Sequence, residues 1–209
     1  MAFAGFPAEA FAFYEGLEAD NSKTYWTAHK DVYDTCVRGP MGEIAAELAS
    51  VVRAEPKVFR PHRDVRFSKD KSPYKTHAGA HFQLGGKGAH GPGYYLHLEP
   101  AECFVAGGIW MPEPEVLQQI RQRIADKPSE WAKAHGKLDH SEETLKRPPR
   151  GFDPDHPMIE DIKRKSFTSS VRLTDKQVTG PNLMTTFVKS CDRISPLMRF
   201  LATAAGVEW

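Results

Sequence analysis

The sequence is short of several things, and each shortage excludes a class of protein. Its three cysteines, Cys36, Cys103 and Cys191, lie far apart and in no metal-ligand spacing. An odd, scattered set builds no disulfide framework, so a reducing cytoplasm is the expected compartment. No apolar run approaches the ~20 residues that a membrane-crossing helix needs. The first residues lack the basic start of a secretory signal and carry Glu9 early, so no membrane partner is expected. Net charge is also scarce: 28 basic and 27 acidic side chains leave +1, with a pI near 7.8. A general nucleic-acid coat would sit above ~9. There is no Gly-x-Ser-x-Gly elbow and no dinucleotide fingerprint, and Gly85-Gly86-Lys87-Gly88 lacks the spacing of a phosphate loop. The sequence names no cofactor.

What is present reads as one α+β domain over 1–209: helical over 1–55, sheet-forming over 57–111, helical and mixed over 112–209. Such a length buries a core unaided. Phe11, Phe13, Tyr14 and Leu17 predict a helix over 8–17. Asp20-Asn21-Ser22 starts a second, lined by Trp26, Tyr33 and Val37. Gly39-Pro40 ends it and opens a third, with a stripe of Met41, Ile44, Ala45, Leu48, Val51 and Val52. After Pro56 the period falls to two. Extended segments are expected over 58–67, interrupted by Pro61, and over 77–84, 94–99 and 103–109. The last two form a hairpin, with Tyr94, Leu96 and Leu98 on one face and Tyr95, His97 and Glu99 on the other. Residues 85–93 hold five glycines, as a lid or a plain connection. Gly107-Gly108 allows a close backbone approach. Helices return over 112–127 and 129–134, the latter anchored by Trp131, and over 157–163. Residues 167–173 are β-prone, and Leu183, Phe187, Cys191 and Ile194 line a final helix that Pro196 restarts or kinks. The expected plan is a mostly antiparallel sheet of about five strands flanked by N-terminal, middle and C-terminal helices.

Chemistry concentrates in Arg60 to Lys75. Six basic side chains (Arg60, Arg63, Arg66, Lys69, Lys71, Lys75) face two acidic ones (Asp64, Asp70), while the rest of the chain holds 22 basic against 25 acidic. On a strand over 63–67, Val65 and Phe67 would face the core and Asp64 and Arg66 would face away, with Lys69, Asp70 and Lys71 at the following turn. Among six cations both aspartates stay ionised, which favours positioning or ion pairing over proton donation. If the faces of Asp64 and Arg66 and of Tyr95 and His97 coincide, a polar pocket forms, with Trp110 at its rim and Lys165 and Arg150 closing it. Lys75 would add to its basic side, and Tyr74 is a further candidate for binding the ligand. His77 and His81 are four apart, but on a strand four residues span ~13 Å, too far for one ion. His62, His77 and His97 could converge from neighbouring strands, yet nothing in their spacing fixes that, and no metal site is assigned.

The run Arg63-Asp64-Val65-Arg66-Phe67-Ser68-Lys69-Asp70-Lys71-Ser72-Pro73-Tyr74-Lys75-Thr76-His77 resembles the signature of domain-of-unknown-function family 2461. Gly93-Tyr94-Tyr95-Leu96-His97-Leu98, Gly107-Gly108-Ile109-Trp110-Met111-Pro112, Pro149-Arg150-Gly151-Phe152 and Asp155-His156-Pro157 fit the same pattern in order. The resemblance implies a single α+β domain in a mainly bacterial and fungal family, and it implies no activity. Three readings stay open. The favoured one is a pocket for an anionic, phosphate- or carboxylate-bearing small molecule, in an enzyme or a binder, around Arg63, Asp64, Arg66, Lys69, Asp70, Lys71, Tyr74, Lys75, Tyr95, His97, Trp110 and Lys165. The second is a basic loop that docks nucleic acid or an acidic protein. The third is a cluster that pairs internally and serves the fold alone.

Overall fold

The computed structural model of the chain describes residues 3–85, 91–136, 139–140 and 144–209. The N-terminal third is helical: α1 (Ala8–Ala19), α2 (Lys23–Ala28), α3 (Lys30–Val32), a π-helical stretch Tyr33–Arg38, and α4 (Gly39–Val52). Ser22 starts α2 as the sequence predicts, its hydroxyl accepting the Tyr25 N–H at 3.1 Å. The expected break at Gly39-Pro40 is absent. Pro40 brings no N–H to the helical ladder, and the chain widens ahead of it: the Gly39 N–H reaches back to the Asp34 carbonyl. The helix thereby continues into α4, which ends at Arg53 in the left-handed region, φ 51°.

The remaining elements are β1 (Glu55–Val58), β2 (Ala78–Gln83), β3 (Gly93–Leu98), β4 (Cys103–Ile109), α5 (Pro114–Asp126), α6 (Pro128–His135), β5 (Asp139–His140), α7 (Ile159–Ile162), β6 (Phe167–Leu173), α8 (Asp175–Val178) and α9 (Leu183–Ala204). The strands form an antiparallel sheet in the order β1-β2-β3-β4-β6-β5, so the α+β class holds. β5 is a two-residue addition at one edge, pairing Asp139 with Ser170. Helix α9 runs through Pro196 without a restart. One ladder bond is given up there, and burial of Leu197, Met198, Phe200 and Leu201 holds the next turns in place.

Two compact units emerge from the contacts: Met1–Phe82 with Tyr95–Val105 and Arg172–Val188, and Gln83–Tyr94 with Ala106–Val171 and Lys189–Trp209. The first unit buries Phe13, Tyr14, Leu17, Met41, Ile44 and Leu48 from its helices. Trp26 stacks on Tyr74 there, ring centroids 4.3 Å apart at 8°. The second unit packs Trp131 among Ile120, Ile124, Ile162, Phe167 and Phe200. Within it Gly108, φ +139°, has the Phe167 carbonyl 2.0 Å from where a Cβ would stand, which is the close approach expected of Gly107-Gly108.

One expectation is overturned. Extended structure ends at Val58, and 63–67 is not a strand. A single bridge, His62 to Tyr74, closes the neck of a loop. Two backbone bonds flank it, from the Arg63 N–H to Pro73 O at 2.9 Å and from the Lys75 N–H to Pro61 O at 2.8 Å. Phe67, expected in the core, is 96 % exposed. Alternation here reflects a loop whose polar groups turn inward on themselves. The glycine-rich connection lies outside the described residues over 86–90, as do parts of the irregular stretch after Gly136.

Candidate functional site

The basic stretch spends much of its charge internally. Arg66 grips Asp64 as a fork, Nε to Oδ1 at 2.9 Å and Nη2 to Oδ2 at 2.6 Å. Asp70 accepts from Arg63, from the Ser72 N–H at 2.9 Å and from the Ser72 hydroxyl at 2.6 Å. The Ser72 bonds, and then Arg63, hold the Asp70 carboxyl well below the usual carboxylate range; the Arg66 bonds lower that of Asp64. Lys71 donates to Val65 O at 2.9 Å, and Lys69 is exposed. Tyr74 is buried, with Asn21 bonded to both its backbone N–H and its carbonyl at 3.0 Å. These residues build and anchor the loop between 63 and 73.

A different group converges on the outer face of β2 and β3. Period-two alternation puts Tyr95, His97 and Glu99 on one side of β3 and its continuation, while Leu96 and Leu98 point into the core. His77 stands just before β2, the strand next to β3, and its ring lies 4.6 Å from that of His97. One ligand atom each from His77, His97 and Glu99 can be chosen so that all lie within 4.8 Å of one another. His97 is 7 % exposed and flat against Phe104, centroids 4.5 Å apart at 13°. Its Nε2 is 2.8 Å from Glu99 Oε2, and its Nδ1 is 2.9 Å from the Tyr95 hydroxyl. With the carboxylate ionised, Nε2 donates to Glu99 and Nδ1 accepts from Tyr95. Glu99 Oε1 accepts from the Thr76 hydroxyl at 3.1 Å.

Burial, helped by the neighbouring His97, pushes the His77 pKa down to about 4, so His77 is neutral across the physiological range. Burial, with the Glu99 charge added, pushes the Tyr95 phenol up to about 12. Gly79 on β2 makes room for the Tyr95 ring, since a Cβ there would stand 2.3 Å from its oxygen. Phe59 packs at 5.9 Å against Tyr95, and the Lys75 ammonium sits over the same Phe59 ring at 5.1 Å.

Of the residues singled out in the sequence, Tyr95 and His97 bond to each other here, and Lys75 lies one ring away, on Phe59. Trp110 and Lys165 belong to the second unit: Trp110 is 65 % exposed beyond β4, and Lys165 is half-buried in the bend before β6. His81 lies further along β2, and His62 packs on Trp26 and Tyr74 instead. Sequence reasoning placed Glu99 on the right face without a role, and it left His77 unassigned. The available signal was the alternation of β3; the register that delivers His77 from the adjacent strand has no local mark.

The family described as a conserved hypothetical protein (DUF2461) matches residues 9–200 of the 209. The chain belongs to this family. No curated protein matches it. Nearly every residue discussed above therefore lies inside the stretch that defines DUF2461, including the loop between 63 and 73 and the His77, His97 and Glu99 cluster. The described part of this DUF2461 chain contains no helix long and apolar enough to cross a membrane.

Proposed function

We propose that this protein binds one divalent first-row transition-metal ion through His77, His97 and Glu99, and that the ion is the centre of its chemistry. The observation that carries the reading is the convergence of two imidazoles and one carboxylate within 4.8 Å. Two histidines and a carboxylate are a recurrent ligand set for zinc and for non-haem iron, and they leave coordination positions open for a reacting molecule. Supporting partners are in place for two of the three ligands. Tyr95 meets the ring nitrogen of His97 that faces away from Glu99, and Thr76 meets the second oxygen of Glu99. Such partners orient ligands and fix the tautomer. With Nε2 given to an ion, His97 would carry its proton on Nδ1 and would donate it to the Tyr95 oxygen. The neutral form of His77 is the form that ligates.

The basic loop supports a more modest reading than its composition suggests. Arg63 and Arg66 are satisfied by Asp70 and Asp64, which favours a self-braced loop over a nucleic-acid surface. Calorimetric titration of the metal-free protein with zinc chloride or manganese chloride tests the proposal. One ion per chain is expected. Glu99→Gln and His77→Gln, both at half-buried positions, should weaken binding at least about 100-fold while the circular dichroism stays unchanged. Wild-type protein that binds neither ion, or variants that bind as the wild type does, would remove the metal centre from the account.

A further inference from the structure

We infer that the open positions of this centre take a small oxyanion, a phosphate or carboxylate group, which Lys75 grips from the side; this rests on the metal reading above. Charge is the first argument. Two neutral imidazoles and one carboxylate leave a divalent ion with a surplus of one positive charge, and three protein ligands leave at least one position open. An oxyanion both fills such a position and cancels that surplus.

Lys75 is the second argument. It differs from its neighbours in the basic stretch. Arg63, Arg66 and Lys71 each meet an oxygen of the loop itself. Lys75 is half-buried, lies over an aromatic ring, and has no acidic partner among the described residues. A half-buried ammonium with no counter-charge invites an anion.

Position is the third. Lys75 stands two residues before His77 on the same run of chain. A chain of contacts links the lysine to the cluster: Lys75 on the Phe59 ring at 5.1 Å, Phe59 on Tyr95 at 5.9 Å, and Tyr95 on His97 at 2.9 Å. Phe59 and Phe104 both pack on the Tyr95 ring, and Phe104 also lies on His97, so apolar surface borders the cluster and strengthens its charges. Of the positive charge in the 60–75 stretch, Lys75 is thus the part that serves the site, while Arg63, Arg66 and Lys71 serve the loop.

The test is a pair of titrations on zinc-loaded protein, one with inorganic phosphate and one with malonate. At least one should bind, and bind about tenfold or more weaker to metal-free protein and to zinc-loaded Lys75→Met. Lys75→Met should take up zinc as the wild type does, and Lys75→Arg should keep anion binding within a few-fold. The inference is overturned if neither anion binds the zinc-loaded wild type, if Lys75→Met binds the anion normally, or if Lys75→Met loses zinc, since the lysine would then support the ligands instead. Failure of wild-type protein to bind zinc at all is a different result, and it sinks the metal centre itself.

Discussion

Gly79 decides how Tyr95 meets His97. The tyrosine ring crosses β2 where a side chain would otherwise be, with the position of an added Cβ 2.3 Å from Oη and 2.7 Å from Cε2. In Gly79→Ala the backbone is held by the sheet, so the ring yields. Its hydroxyl then leaves the 2.9 Å contact with His97 Nδ1. The imidazole loses its orienting partner while every candidate ligand remains in the chain. Metal affinity should fall about 10- to 100-fold, the usual consequence of losing such a partner. Tyr95→Phe removes the same bond without a collision and should fall in the same direction by less. Zinc titration of both variants checks this. A Gly79→Ala protein that binds zinc as tightly as the wild type would show that Tyr95 does not position His97.

At the scale of elements, the loop between 63 and 73 is braced from within. Its neck is pinned by the His62–Tyr74 bridge and its tip by Asp70, which ties Ser72 to Arg63. Asp70→Ala removes three acceptor contacts at once and leaves the neck intact. The loop should open while the rest of the fold melts unchanged, because the lost contacts lie at an exposed tip. Trypsin reads this directly, since Arg66, Lys69 and Lys71 are all exposed. Cleavage there should speed up several-fold in Asp70→Ala, with no change in the melting temperature. Equal cleavage rates would mean that the neck alone holds the loop.

The same loop shows what the sequence could and could not convey. Helical stripes such as Met41, Ile44, Ala45 and Leu48 and the alternation of β3 were legible, because one periodicity decides which residues are buried. Arg63 to Phe67 alternates just as cleanly and is no strand. Its pattern arises from side chains that pair two residues apart, Arg66 with Asp64, and from a neck formed ten residues later. The cluster of His77, His97 and Glu99 was half legible for a related reason. Two of its members share a strand face and could be read together, while the third arrives through pairing between neighbouring strands.

For the molecule as a whole, a balance of +1 means that no large net charge strains the fold at neutral pH, so response to acid depends on particular carboxylates. Asp161 is the half-buried one that matters most in the second unit. Burial alone would raise its pKa. The Arg164 guanidinium at 2.8 Å and the Trp131 indole N–H at 2.9 Å outweigh that, and the net shift is downward. A carboxylate lowered in the folded state contributes stability that is complete above the ordinary carboxylate range. That contribution is lost as the pH falls through the lowered value. Asp161→Asn keeps an acceptor but no charge. At pH 7 it should be less stable by about 1–3 kcal/mol, the cost of weakening bonds at a buried polar group. For a chain of this length that is about 2–4 °C per kcal/mol. As the pH falls below the ordinary carboxylate range and on through that lowered value, the wild type protonates Asp161 and loses the same advantage, so the two melting curves should converge. Melting temperatures taken from pH 7 down to pH 2 check the sign. A gap that stays constant over that range would mean that Asp161 acts through shape and hydrogen bonding alone, and that its charge adds nothing to the packing of Trp131.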